Sequence, residues 1–126
     1  MYMAEERLVY QTPLLNPGGH YSNMTGEYTC PTTGVYLFVY SVYGFHIKQG
    51  GAHSRVTASL YRGGDKVSEV YHNQLNKQPT YLTLSSADIV ACQARQRVGV
   101  QSDYDSRFVD GGSANNVFGG VLLHTT

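Results

Sequence analysis

Gly34-Val35-Tyr36-Leu37-Phe38-Val39-Tyr40-Ser41-Val42-Tyr43 carries no charge and, after its first residue, no glycine. β-Branched and aromatic residues fill it, which predicts a strand and not a helix. Successive side chains of a strand point to opposite faces. One face therefore holds Tyr36, Phe38 and Tyr40, and the other holds Val35, Leu37 and Val39. Neither is polar, although a strand of an antiparallel sandwich normally gives one face to water. Two readings follow. Either this is a central strand covered on both sides by its own domain, or one face packs in the sandwich and the other meets another subunit.

Shorter stretches of the same kind lie on both sides. Leu8-Val9-Tyr10-Gln11-Thr12 reads as a first strand stopped by Pro13, and Asn16-Pro17-Gly18-Gly19 is turn chemistry. Glu27 to Cys30 forms another short strand, closed by Pro31. Val56, Ala58 and Leu60 alternate within His53–Tyr61, and Gly63-Gly64 signals a hairpin returning through Lys66–Tyr71. The run Arg62-Gly63-Gly64-Asp65 is that turn. Thr80–Leu84 alternates. Ser85 to Asp88 has the form of a helix cap, but Ile89, Val90, Cys92 and Ala94 continue a strand pattern, so a strand is expected there. Val98–Gln101 is a short strand, Ser102–Asn116 a polar loop, and Val117–His124 the closing strand. Many short strands with regular turns and no helical period predict an all-β sandwich or jelly roll.

Composition narrows the picture. The 126 residues suggest one domain, 1–126. Net charge is zero and charged residues make up 14%, so neither a nucleic-acid footprint nor an acidic tail is present. No apolar run reaches membrane-spanning length, and no membrane insertion is expected. The opening Met1-Tyr2-Met3-Ala4 enters strand-like sequence almost at once, as in an excised or processed domain. Cys30 and Cys92 allow one disulfide or none. Each falls in a candidate strand, where a free cysteine packs as a small hydrophobe, and two free thiols are expected. His20, His46, His53, His72 and His124 show no metal-ligand spacing. Asn23-Met24-Thr25 is an N-glycosylation sequon; it has meaning only in a secreted chain and otherwise marks a plain loop.

Tyr10, Asn16, Tyr21, Tyr28, Gly34, Tyr36, Phe38 and Tyr40 then stand at a recognisable spacing. The run is aromatic, five residues, Asn, four residues, aromatic, six residues, aromatic, five residues, Gly-x-Tyr-x-Phe-x-aromatic. It resembles the signature of the complement C1q globular-head family, with tyrosine at two places where the family usually has phenylalanine. Val117-Phe118-Gly119-Gly120-Val121-Leu122-Leu123 resembles that family's closing strand. The resemblance covers about residues 7 to 124. It implies a ten-stranded antiparallel jelly roll of the tumour-necrosis-factor-like superfamily, usually a homotrimer, usually secreted, that recognises ligands. Tyr36, Phe38, Tyr40 and Phe118 are then expected in the core or at a threefold interface.

Departures from the family pattern are informative. Where the family commonly has Gly-Asp before its penultimate strand, this chain has Arg95-Gln96, flanked by Arg97. Some relatives pair the cysteine at Cys30 with one on a neighbouring strand, near Thr57 here, so that bridge is not expected. Some relatives bind calcium through loop aspartates; here Gln74, Asn76 and Gln78 offer no carboxylate, which disfavours calcium as a cofactor. Asp103, Asp105 and Asp110 form an acidic loop, for which solvation is the simpler account.

No catalytic residues are expected, since no nucleophile elbow, phosphate loop or metal motif occurs. The leading expectation is a lectin-like pattern-recognition module of innate immunity, gaining avidity from trimeric presentation. Its ligand-binding candidates are Arg95, Arg97, Asp103, Tyr104, Asp105 and Arg107. Loops carry such sites, and arginine suits phosphate or carboxylate on a microbial glycolipid, glycan or protein. For each residue alone, a solvated surface side chain is the plainer account. The alternative function is a trimeric signalling or matrix head that binds a protein receptor.

Overall fold

The computed structural model describes residues 7–10, 16–46, 54–74, 82–103, 106–108 and 117–126. Its longest element is the stretch singled out above, strand β3 (Gly34–His46). The others are β1 (Tyr21–Ser22), β2 (Glu27–Thr29), β4 (Ser54–Arg62), β5 (Asp65–Gln74), β6 (Leu82–Cys92), β7 (Arg97–Asp103), β8 (Ser106–Phe108) and β9 (Val117–Thr125). A 3-10 turn at Pro17–Gly19 precedes β1. Among the described residues there are nine strands and no α-helix.

The strands form two antiparallel sheets of a jelly-roll sandwich. Five lie in the order β1-β2-β7-β4-β5. In the other sheet β3 is central. It pairs with β6 on one side, from Gly34↔Cys92 to Gly44↔Leu82. On its other side β9 and then β8 follow one another along it. The helix cap considered at Ser85 is overruled by this ladder: Ser85 and Ser86 lie opposite Ser41 and Tyr40 inside one unbroken strand. Two sequence expectations are corrected. Leu8–Tyr10 is not a ladder strand; it touches the sheet through the Arg7↔Gln101 bridge and a Leu8 N–H donated to Val100 O, 2.8 Å. Ser102 and Asp103 belong to β7, and Ser106–Phe108 is β8, so the expected Ser102–Asn116 loop is partly strand.

The family signature proves to be a packing code. Tyr10, Tyr28, Tyr36, Phe38, Tyr40 and Phe118 are buried to 1% exposure or less within one chain. Tyr36 stacks on Phe38 at 5.9 Å, Tyr28 meets Phe38 edge-on at 5.2 Å, and Phe118 packs on Tyr10, Tyr21 and Phe38. Edge and offset ring contacts of this kind add to the area they bury. Several of the buried phenols also find a polar partner. Tyr10 donates to Ser41 O at 3.0 Å and Tyr36 to Thr32 O at 2.6 Å, while the Tyr10 N–H donates to the Tyr21 hydroxyl at 2.6 Å. Asn16 holds the 3-10 turn, its Oδ1 accepting the Tyr21 N–H at 2.9 Å. Gly34 is needed because β9 approaches there: a Cβ would lie against the His124 carbonyl and 2.9 Å from Leu122 Cδ1. Of the two places expected for this aromatic set, core or threefold interface, a single chain already supplies the first. All four of Tyr36, Phe38, Tyr40 and Phe118 are protomer core.

Tyr40 ends in a polar network at the rim of the sandwich. Ser68 of β5 and Ser86 of β6 both donate to Asp88 Oδ2, at 2.8 and 3.0 Å. The single Ser68 proton is thereby used, so the Tyr40 hydroxyl, 2.8 Å away, donates to Ser68 Oγ. Burial above all, with the charges of Asp88 and Glu69 adding, pushes the Tyr40 phenol from 10.0 up to about 12. A group whose pKa is raised by folding contributes stability below its unfolded pKa and loses it as pH rises through the folded one. Stability should accordingly hold to pH 10 and fall between 10 and about 12. Ultraviolet titration of tyrosinate alongside thermal melts checks this. Tyr40→Phe should flatten the loss attributable to this window.

Candidate recognition surfaces

Three surfaces follow from this scaffold: a cross-linked arginine end, an opposite end, and an aliphatic sheet face. At the first, the chain crosses between sheets twice, through Pro31–Thr33 from β2 to β3 and through Gln93–Gln96 from β6 to β7. The two crossings are stitched together. Arg95 N–H donates to Cys30 O at 2.7 Å, Cys30 N–H to Gln96 O at 2.9 Å, and Ala94 N–H to Thr33 Oγ1 at 3.0 Å. Cys30 and Cys92 flank them with Cα atoms 6.6 Å apart and form a disulfide. The expectation of two free thiols is overturned. β3 begins four residues after Cys30, and its first residue, Gly34, lies opposite Cys92. The sheet crossing thus carries the cysteines together although 62 residues separate them.

Arg95 adopts φ 75°, the left-handed region that L side chains rarely occupy, and is the one such non-glycine among the described residues. This is the turn position at which the sequence has arginine in place of glycine. Non-glycine residues meet a Cβ–carbonyl clash in that region. Arg95 is exposed, and Arg97 side-chain exposure is 66%, with Glu27 Oε1 3.9 Å from its Nη1. Arg62 joins them, opposite Val98 in the β4–β7 ladder, and its Nη1 donates to Ala91 O at 2.7 Å, tying one sheet to the other. A depression of about 370 Å³ at this end is lined by Thr33, Arg62, Gln93 and Gln96, among others.

The six ligand-binding candidates are not one cluster. Asp103 closes β7, six steps from Arg97, which at about 3.3 Å per step is about 20 Å. Arg107 lies opposite Phe45, near the far end of β3 from Gly34. Arg95 and Arg97 thus occupy one end of the sandwich, and Asp103 and Arg107 the other. Tyr104 and Asp105 lie outside the described residues. So do Asn76, Gln78 and Asp110, of the residues weighed for calcium. Among the described residues no three His, Cys, Asp or Glu side chains converge on a point.

The third surface is the outward face of the β6-β3-β9 sheet. Val35, Leu37, Val39 and Val121 are half-buried there, while Ile89 is 71% and Leu123 52% exposed. Cross-strand partners keep it uncharged: Leu37 lies between Ile89 and Val121, Val39 between Ala87 and Gly119, Val35 between Ala91 and His124. Sequence reasoning found both faces of β3 but not which one turns inward. The Phe38↔Gly120 register explains that choice. A Cβ on Gly120 would stand 2.6 Å from Phe38 Cε1, so the β9 glycine leaves room for the ring on the inner side.

Residues 2–123 match the sequence model of the C1q domain. The chain belongs to the C1q domain family. It is a non-enzymatic module of the recognition and signalling type. Protein HP-25 homolog 1 of Bos taurus is 26% identical over 117 residues, which is 93% of this chain and 50% of that protein. The chain therefore spans about half the length of that curated relative. The globular domain of zebrafish complement 1qA superposes with a TM-score of 0.66 at 18% identity, covering 97% of this C1q domain and 92% of that chain. Eiger TNF from S. frugiperda superposes with 0.67 at 16% identity, covering 98% and 91%. Both likenesses establish the fold. Among the described residues no helix is long and apolar enough to cross a membrane.

Proposed function

We propose that this C1q domain is a secreted, homotrimeric pattern-recognition head of innate immunity. It assembles through the β6-β3-β9 face and binds an anionic microbial surface molecule through Arg95 and Arg97. Assembly rests on one observation: an exposed sheet face that is aliphatic and free of Asp, Glu, Lys and Arg, centred on Leu37 and Ile89. Contiguous apolar surface of this kind marks an interaction site. Closed cyclic symmetry buries it three times over without leaving an open surface for further growth.

Ligand contact rests on Arg95. An exposed arginine held in a conformation that suits glycine is disfavoured by the backbone, so its retention points to the side chain. With Arg97 beside it, the guanidinium forks fit phosphate or carboxylate groups, and three copies add avidity.

Light scattering should find a trimer at micromolar concentration. Ile89→Glu should leave a folded monomer, since an exposed substitution changes protomer stability by only about 0.5 kcal/mol. A wild-type monomer refutes the assembly.

Arg95→Gly separates fold from binding. It should raise the melting temperature, by an amount corresponding to about 1 kcal/mol. The same variant should bind lipopolysaccharide and anionic glycans more weakly and with less salt dependence. Unchanged binding in Arg95→Gly combined with Arg97→Ala moves the ligand site elsewhere. A hit on a receptor-ectodomain screen with silent glycan arrays would instead make the domain a signalling head.

A further inference from the structure

We propose that Asn23 carries an N-linked glycan, making the β1–β2 turn a sugar-bearing edge of the head. The sequon Asn23-Met24-Thr25 has the acceptor spacing, without proline at its middle position. The fold presents it fully. Asn23, Met24 and Thr25 are all exposed, Met24 to 88%. The turn is closed by the Gly26 N–H on Ser22 O at 2.9 Å, and braced by Met24 N–H on Ser22 Oγ and Glu27 N–H on Thr25 Oγ1. None of these bonds uses the Asn23 amide, so a sugar there costs the turn no hydrogen bond.

The disulfide supplies an independent argument. A structural bridge between Cys30 and Cys92 belongs to an oxidising compartment, the route along which chains also meet the glycosylation machinery. Glycosylation of Asn23 in the native protein rests on its being secreted, as proposed. In the transfer, the Asn23 side-chain nitrogen forms a bond to the sugar C1 of a lipid-diphosphate-linked oligosaccharide. The C1–O bond to diphosphate breaks, the amide gives up one proton, and the lipid diphosphate leaves.

Position gives the glycan a consequence. Among the described residues β1 is the outer strand of the five-stranded sheet, and such an edge invites pairing with other chains. A glycan at its end screens that edge. It obstructs neither proposed surface: the aliphatic face belongs to the other sheet, and Arg97 lies opposite Thr29, while the sequon turn leaves β2 at the Glu27–Gly99 end.

The test is secretion of the full chain, behind a supplied leader, from a eukaryotic cell line. Peptide-N-glycosidase should lower the intact mass by one glycan and convert Asn23 to Asp in the peptide map. Asn23→Gln and Thr25→Ala should each abolish that shift. A secreted chain with the Cys30–Cys92 bridge closed and Asn23 unmodified overturns the proposal. Because the leader is supplied, the acceptor site is read apart from the native compartment. The secreted reading fails separately, if the protein from its own source yields two alkylatable thiols.

Discussion

Opening the Cys30–Cys92 bridge should lower the stability of this C1q domain by about 4 kcal/mol. The estimate follows from the loop it closes: 62 residues of separation remove loop entropy from the unfolded chain, and the loss grows with the logarithm of loop length. Domains of this size have a total stability of only about 5–15 kcal/mol, so the reduced protein should unfold at much lower denaturant. Native-state contacts add to the effect. Cys30 is fully buried and Cys92 nearly so, and the bridge pins the two sheet crossings that also carry the Arg95 turn. Denaturant melts of Cys30→Ala/Cys92→Ala against wild type measure it. A midpoint unchanged within error, with the bridge mapped as present in wild type, would remove the bridge from the account of stability. Alkylation without reductant should find no free thiol in the native protein.

Phe118→Ala should destabilise the protomer by about 4 kcal/mol, the usual cost of emptying a core aromatic site. Its ring is fully buried and packs on Tyr10, Tyr21 and Phe38, so β1, β3 and the Leu8–Tyr10 segment lose contacts at once. Collapse into the space is restricted, because Tyr10 is tethered to Ser41 O and to Val100 through Leu8, and Phe38 is held by Tyr28 and Tyr36. Chemical denaturation of the monomeric Ile89→Glu background isolates the effect from assembly. In that background Leu37→Ala should cost far less, since Leu37 is only half-buried on the outward face. Equal losses at the two positions would contradict the assignment of inner and outer faces.

Much of this architecture was legible in the chain. The central strand, the Gly63-Gly64 hairpin, the strand through Ser85–Asp88 and the closing strand all follow from period-two patterning and turn residues, because these signals are local. The spaced aromatic signature identified the family for a related reason: its members sit at fixed offsets along strands whose pairing makes one core. Arg95 at the glycine place was also visible, and its positive φ follows from the turn it must make.

What tertiary structure alone decided is everything that depends on register between distant segments. Alternation distinguishes two faces of β3 but carries no sign, so only the opposing sheet and the Phe38↔Gly120 pairing turned the aromatics inward and left Val35, Leu37 and Val39 outside. The disulfide joins residues 62 apart whose neighbours look like ordinary strand, and it became evident only where two crossings meet at one end. The division of Arg95 and Arg97 from Asp103 and Arg107 is of the same kind. Sequence places them within thirteen residues. An extended strand then carries them to opposite ends of the sandwich, because each residue of a strand advances the chain by about 3.3 Å.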